Sequence, residues 1–320
     1  MTRLRQAAAS AYAGWEAWWF TPRETSTLAI IRIYFGVLMF FWTLSQIPTL
    51  FTFLGPDGIV PKTPDYGASA GGWAAWTVLQ LFPGRAAPVV LIVVMLVASV
   101  ALAVGFRPRI ASLLLFIGAV SVQRRDPYVF NAGDILIRVM ALYMVFSPSG
   151  AALSLDRWRR HRSRFWEFPL KTQWALRLMQ IQVSFVYLDS VWAKVRGVHW
   201  NDGTAVSIAL RIGDLNRLPV PSFMTQSEII ANFLTYSALA IEFSLGVLVW
   251  NRKARPYVLL AGVALHLGID WAIRVGFFSY AVIMFYIAFI DPQTMSARIV
   301  ALRDWFVRRR AQPLPTRQPA

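Results

Sequence analysis

The chain contains no cysteine and few charged residues for its length. Because its 320 residues include no Cys, a disulfide framework, a thiol nucleophile and a thiolate metal site are all excluded. Asp, Glu, Lys and Arg make up 15% of the chain, whereas about 25% is usual for a soluble domain. The three histidines are not accompanied by clustered carboxylates, so we expect no metal centre.

Long apolar runs are present instead, and hydrophobic residues make up 57% of the chain. A helix needs about 20 apolar residues to cross a bilayer, so these runs predict an all-α, polytopic integral membrane protein with about eight transmembrane helices. The predicted spans are residues 27–46, 87–105, 108–123, 134–148, 173–193, 228–250, 255–272 and 276–291. Seven crossings remain an alternative, because 108–123 and 134–148 are short.

Basic residues outnumber acidic ones by 32 to 16, and they gather in short loops between the apolar runs. The clusters are Arg107/Arg109, Arg157–Arg164, residues 251–255 and Arg308–Arg310. The positive-inside rule then places both termini in the cytoplasm, and we expect the membrane to be a bacterial cytoplasmic membrane. The excess charge predicts attraction to anionic lipid headgroups as the partner surface, and no nucleic acid is expected.

The two ends of the chain differ from the middle. Residues 1–24 carry Trp15, Trp18, Trp19 and Phe20 beside basic residues, a pattern typical of an amphipathic helix lying in the membrane interface. Residues 25–295 form the predicted transmembrane domain. Residues 296–320 are predicted to be a basic cytoplasmic tail, partly disordered from Ala311 onward because proline and polar residues dominate there.

Ionisable residues inside or at the mouth of the spans are costly in a bilayer and are therefore candidates for function. They are Arg32, Asp134, Arg138, Asp189, Lys194, Glu242, His266, Asp270 and Arg274. Asp134 and Arg138 are four residues apart, so a structural ion pair on one helix face is the simplest interpretation. Arg32 and Glu242 lie at similar depth under the predicted topology, and we expect them to form a structural ion pair.

Lys194 stands out because lysine occurs only at Lys62, Lys171, Lys194 and Lys253, while every other basic side chain apart from histidine is arginine. A partly desolvated lysine loses its proton far more readily than an arginine, which favours Lys194 as a general base or nucleophilic amine. The alternative is a lysine that anchors a helix end at the headgroups.

His266, Asp270 and Arg274 follow one another at intervals of four and so share one helix stripe. An aspartate one turn from a histidine suggests an oriented, proton-relaying imidazole, and a satisfied buried imidazole is the alternative. Under the predicted topology, Asp134, Lys194, Asp270 and Arg274 all fall on the non-cytoplasmic side.

Several motifs, in their order and spacing along the chain, resemble those of the HTTM family, which is related to the membrane domain of vitamin K-dependent gamma-carboxylase. The resemblance covers roughly residues 27 to 292. Its motifs are Leu28-Ala29-Ile30-Ile31-Arg32 with Gly36, Asp57-Gly58 with Pro61, Asn131 with Gly133-Asp134, Tyr187 with Lys194, Trp200 and Gly203, Glu242, and His266 followed by Gly276, Phe278 and Tyr280.

The resemblance implies membrane chemistry on a reduced, vitamin K-like quinone or another lipid-soluble substrate, as an oxidoreductase or lyase. Lys194 would be the general base, with His266 and Asp270 as relay or orienting groups. The substrate-binding candidates are Asn131, Asp134, Tyr187, Trp200 and Arg274. An exported peptide or protein is the implied partner, and the alternative function is a non-enzymatic membrane maturation factor or lipid-binding partner for such a protein.

Overall fold

A computed structural model of the chain describes residues 2–59, 76–82, 84–125 and 131–311. Within these ranges the protein is built almost entirely from α-helices, which confirms the all-α class predicted from the sequence. In chain order the helices are α1 (Thr2–Phe20), α2 (Ser26–Leu44), α3 (Leu50–Phe53), α4 (Val78–Leu81), α5 (Ala86–Val104), α6 (Pro108–Arg125), α7 (Ala132–Phe146), α8 (Leu155–Arg160), α9 (Trp174–Lys194), α10 (Val198–Asn201), α11 (Ala205–Leu210), α12 (Ser222–Gln226), α13 (Glu228–Val247), α14 (Arg255–Ala272), α15 (Phe278–Tyr286) and α16 (Pro292–Ala311).

The longer helices coincide with the predicted spans to within a few residues, and α14 occupies 255–272 as predicted. In the described ranges, three helical segments are long and apolar enough to cross a membrane, namely Ser26–Phe53, Ala86–Val104 and Glu228–Trp250. The total of eight crossings stays a prediction, because the other long helices are shorter or more polar.

Helix α5 shows why such segments suit a lipid environment. It carries no charged residue, and Val93, Val97 and Val100 on one face are 49% to 65% exposed. Met95 and Leu102, on the opposite face, are completely buried. A continuous exposed valine face would be unfavourable in water, whereas lipid chains solvate it without cost.

A close contact between α2 and α5 organises the middle of the fold. A Cβ atom on Gly36 would lie 2.5 Å from the backbone nitrogen of Ala103, so only glycine permits this approach. Small residues at helix crossings allow such backbone packing in membranes, where dispersion contacts stabilise the association. Beside this contact, Leu28, Phe35 and Met39 of α2 are fully buried and form the centre of the core.

One end of the bundle, here called the basic end, contains the loops that the positive-inside rule assigns to the cytoplasm. There, β1 (Arg23–Glu24) pairs antiparallel with β2 (Leu170–Lys171), which ties the segment after α1 to the segment before α9. Most of α1 is exposed, including Tyr12 and Trp15. Its location in the membrane interface stays a prediction.

Helix α16 extends the chain beyond the predicted transmembrane domain as far as Ala311. The predicted disorder of residues 311–320 lies outside the described residues, apart from Ala311 itself.

Candidate functional site

Lys194 is the last residue of α9, and its ammonium group is held by neighbours from three elements. Nζ forms an ion pair with Glu242 of α13 and donates a hydrogen bond of 3.0 Å to Ser190 Oγ. The Ser190 hydroxyl in turn donates to the second Glu242 oxygen at 3.1 Å. The indole of Trp200 covers the ammonium, with 4.9 Å between Nζ and the ring centroid. Side-chain exposures of 21% for Lys194 and 9% for Glu242 leave the pair largely out of solvent.

Helices α9 and α13 run antiparallel, but their ends are not level. Gly246 of α13 lies against Leu188 of α9, and one turn further along Glu242 meets Lys194. Because Glu242 follows the first residue of α13, Glu228, by 14 positions, it lies about 21 Å from the start of that helix. Glu242 therefore lies well inside the segment Glu228–Trp250, which is long enough to cross a membrane, while Lys194 is at the end of α9, where the sequence predicted the end of a span.

The chain between α9 and α13 folds back around the part of α13 that α9 leaves uncovered. Thr235 of α13 accepts a hydrogen bond of 3.2 Å from the backbone of Val206, and Tyr236 donates one of 2.8 Å to the carbonyl of Asn201. In the same fold-back, hydrogen bonds from the hydroxyl and then the backbone of Thr204 lower the pKa of the exposed Asp202 carboxyl. These contacts hold α10, and hence Trp200, above Lys194.

The predicted ion pair between Arg32 and Glu242 is wrong. Glu242 is paired with Lys194, and the fully buried Arg32 donates from Nη2 to the carbonyl of Leu153 at 2.6 Å. Its Nη1 lies against Gly105, where φ is +74° and an added Cβ would lie 1.5 Å away. The expectation assumed that the two residues sit at similar depth, but the stagger of α9 and α13 brings Glu242 to the end of α9.

A second buried polar cluster joins α9, α14 and α15. Tyr187 Oη shares a hydrogen bond of 2.7 Å with His266 Nε2 and a further hydrogen bond with Tyr286 Oη. Ser279 donates to the His266 carbonyl at 2.9 Å. The imidazole is 2% exposed, and its Nδ1 has no hydrogen-bond partner among the described residues. Tyr187 and His266, predicted separately as site residues, are therefore in direct contact.

Asp270 does not orient His266, contrary to the interpretation of their spacing. Its carboxylate accepts two hydrogen bonds from Arg217, at 3.0 and 3.1 Å, and one of 2.9 Å from Tyr280. Arg274 is exposed, and its backbone N–H donates to the carbonyl of Leu215 at 2.7 Å. Asp270 therefore anchors the chain segment before α12 to the end of α14.

Asn131 and Asp134 form the start of α7. The Asn131 side chain accepts from the backbone of Gly133, while one Asp134 oxygen accepts from the backbone of Asn131 at 2.8 Å. The other Asp134 oxygen accepts a hydrogen bond of 2.7 Å from the Trp42 indole. The predicted ion pair of Asp134 with Arg138 does not form among the described residues, because the capping contacts and Trp42 engage the carboxylate.

Ser190, Arg217 and Tyr286 contact the candidate residues but were not predicted. Ser190 lies four residues before Lys194, so the helical spacing was a usable signal. Arg217 lies in an irregular loop and Tyr286 lies 99 residues after its partner Tyr187, so no local pattern marked them. In the ranges that the structure describes, no three His, Cys, Asp or Glu side chains gather as a metal site.

A bundle of apolar helices with ion-paired and hydrogen-bonded polar groups buried between them defines a polytopic integral membrane protein. The family model for the HTTM domain matches residues 64–293, and the chain belongs to that family. No curated protein and no solved structure matches the chain. The family thus relates this chain to membrane gamma-carboxylases, as its sequence motifs predicted.

Proposed function

We propose that this protein is a membrane-embedded enzyme that deprotonates a lipid-soluble substrate carrying an acidic hydroxyl group, with the Lys194–Glu242 pair as proton acceptor. The proposal rests on one observation: the ion pair includes Glu242, which lies well inside a helical segment long enough to cross a membrane. Charged residues are costly at such depth, and they are retained there mainly where they act on substrates, ions or protons.

The pair has the composition needed to move one proton between two atoms. With the proton on Nζ, Lys194 and Glu242 form an ion pair; with the proton on the Glu242 carboxyl, Nζ is a free amine. The free amine can then take the hydroxyl proton of a substrate, which leaves a substrate anion beside the Lys194 ammonium. Trp200 would exclude water above it.

The aromatic side chains around His266 fit a reduced quinone best as the substrate class. The aromatic rings of Tyr187, Phe278 and Tyr286 all lie within 6.3 Å of the His266 ring, centroid to centroid. Within the described part of the chain, His266 Nδ1 has no hydrogen-bond partner, and it adds one polar atom to these aromatic surfaces, a combination found in many small-molecule sites. When bound, such a compound would supply the acidic hydroxyl and the redox chemistry that protein side chains lack.

A second function, a non-enzymatic maturation factor or lipid-binding partner for an exported protein, is favoured by one observation. Glu242 already neutralises Lys194, which is the arrangement expected of a purely structural pair. Under this function, replacing both members together with apolar residues would leave the biological activity intact.

The test uses the purified full chain in detergent with a short-chain reduced naphthoquinone as probe. The assay follows the protein-dependent oxidation of the probe in air-equilibrated buffer, where dissolved oxygen accepts the electrons. We expect Lys194→Ala to lower this rate by about 10²- to 10⁴-fold, as is usual when a general base is removed. Lys253→Ala, at an exposed lysine of the basic end, is the matched control and should keep the wild-type rate. If the wild type neither binds nor alters the probe, or if Lys194→Ala matches it in every assay, the enzymatic proposal fails.

A further inference from the structure

A cavity of about 690 Å³ opens at the basic end, between the end of α1, the beginnings of α9, α14 and α16, and the turn after α13. Its size lies within the range of about 300 to 1,000 Å³ found for ligand pockets. The polar residues of the Lys194 and His266 clusters do not line it. Four arginines do: Arg23, Arg177, Arg252 and Arg255.

Among the described residues that line the cavity, these four positive charges are accompanied by one carboxylate, that of Asp291. Asp291 is 3.5 Å from Arg23 and also accepts hydrogen bonds from the backbone at the start of α16, so its charge is shared. Arg177 donates to the Trp18 carbonyl at 3.1 Å and to the Gln180 side chain at 2.9 Å, which are uncharged acceptors. These bonds fix the guanidinium in place, and in the ranges that the structure describes no carboxylate forms an ion pair with it.

Arg255 is held in the same way. Its Nε donates to the carbonyl of Val249 at 2.9 Å, and its other nitrogens lie 3.4 and 3.5 Å from the carbonyls of Trp250 and Phe289. Bringing several guanidinium groups together around one cavity is unfavourable unless an anion compensates them. Phosphate suits such a site because guanidinium groups bind its oxygens in pairs.

The aromatic residues of the cavity indicate where the anion comes from. The Arg177 guanidinium lies 4.7 Å from the ring of Trp18, which packs at 4.8 Å against Trp19 and at 6.1 Å against Trp250, centroid to centroid. Trp15, on the same helix, is exposed and extends this aromatic surface outward. Tryptophan prefers the headgroup level of a bilayer, and basic pockets between transmembrane helices bind phosphorylated headgroups.

We propose that this cavity is a specific site for the phosphodiester headgroup of an anionic membrane lipid, with Arg177 and Arg255 as the fixed phosphate ligands and Arg23 and Arg252 at the rim. The site would fasten α1 to the bundle, since Trp18 belongs to α1 and Arg177, which contacts it, belongs to α9.

The experiment titrates phosphatidylglycerol into the full chain in a neutral detergent at constant ionic strength and follows the thermal unfolding midpoint. We expect saturable stabilisation by phosphatidylglycerol, none by phosphatidylcholine, and an affinity at least about tenfold weaker for Arg177→Gln, which loses a charge-assisted hydrogen bond. Arg162→Gln is the matched control, because that arginine also stacks on a tryptophan at the basic end, 5.0 Å from the Trp158 ring, but does not line the cavity.

Arg252→Gln gives an independent readout if Arg177→Gln does not fold, because Arg252 is exposed at the rim and should also weaken binding when replaced. Equal weakening by Arg162→Gln would mean that only the general positive field attracts lipid, and it would overturn the site. Binding of inorganic phosphate or glycerol phosphate as tight as that of the lipid would overturn the lipid assignment, and so would the absence of saturable binding.

Discussion

The pairing of Lys194 with Glu242 predicts a strong energetic coupling that a double-mutant cycle measures directly. Glu242→Met removes a charge-assisted hydrogen bond, a contribution of about 1.5 to 3 kcal/mol, and leaves a mostly buried ammonium group without a counter-ion. Breaking a fully buried pair costs about 3 to 5 kcal/mol. Since 21% of the Lys194 side chain is exposed, we expect a loss of about 2 to 3 kcal/mol.

The double variant Lys194→Met/Glu242→Met should recover most of this loss, because well-packed apolar residues commonly replace a buried ion pair without destabilisation. Lys194→Met should cost a similar amount, because it leaves the Glu242 carboxylate without its counter-ion. The two single losses less the small remaining loss of the double variant then give an expected coupling free energy of about 3 to 5 kcal/mol. It is measured by titrating the purified variants in mixed micelles with sodium dodecyl sulfate and following near-ultraviolet circular dichroism. Catalytic turnover should stay absent in the double variant, which separates the fold from the chemistry.

The matched control is the cycle between Arg32→Met and Glu242→Met. These side chains have separate partners, so their effects should add to within about 0.5 kcal/mol. A coupling free energy below about 0.5 kcal/mol between Lys194 and Glu242 would refute the assignment of the pair, and so would one above about 0.5 kcal/mol between Arg32 and Glu242.

Three further changes test other parts of the structure. Asp270→Asn should weaken the ion pair with Arg217 and raise the rate of hydrogen exchange over residues 211–217, while the rate at the basic end stays unchanged. An equal change in the exchange rate of both regions would contradict the anchoring role of Asp270. Gly36→Val should destabilise the protein by about 1 to 3 kcal/mol in the same micelle titration, because α2 and α5 must separate, and a neutral result would contradict the close contact. Trp42→Phe should cost about 1 to 3 kcal/mol, since it leaves one Asp134 oxygen without its donor; unchanged stability would show that this bond is not made.

The helices were predictable because each property that defines them is local. The uncharged run in α5 and the break at Phe106-Arg107-Pro108 are both visible in the sequence, and α5 and α6 begin and end within two residues of the predicted boundaries. Depth along the bundle was not predictable in this way. It depends on how far one helix slides past another, and apolar surfaces specify that offset only through side-chain packing, such as Leu188 against Gly246.

The candidate site divides along the same line. Lys194 was singled out from the rarity of lysine, its position at the end of a predicted span and the family resemblance. Its contact with Trp200, six residues later, depends on the turn between α9 and α10, which the spacing alone does not specify. Its partner Glu242 was assigned to Arg32 instead. That prediction paired the charges by their expected depth and did not foresee the offset that brings Glu242 beside the end of α9. The spacing of His266 and Asp270 correctly placed them on one stripe of α14. Their partners come from elsewhere in the chain, however: a tyrosine of α9 bonds to His266, and an arginine of a loop bonds to Asp270.

Helix α9 ends partway along α13, and this end creates a polar site within an apolar bundle. If α9 continued alongside α13, Lys194 would lie in mid-helix and Trp200 would lie about 9 Å further along the same axis, too far to cover the ammonium. Because the chain turns at Gly197 instead, α10 folds back and Trp200 lies over Nζ. The part of α13 that precedes Glu242 is then covered by short helices, whose backbone groups hydrogen-bond to its side chains. Irregular backbone in a membrane protein needs such partners, because lipid offers none.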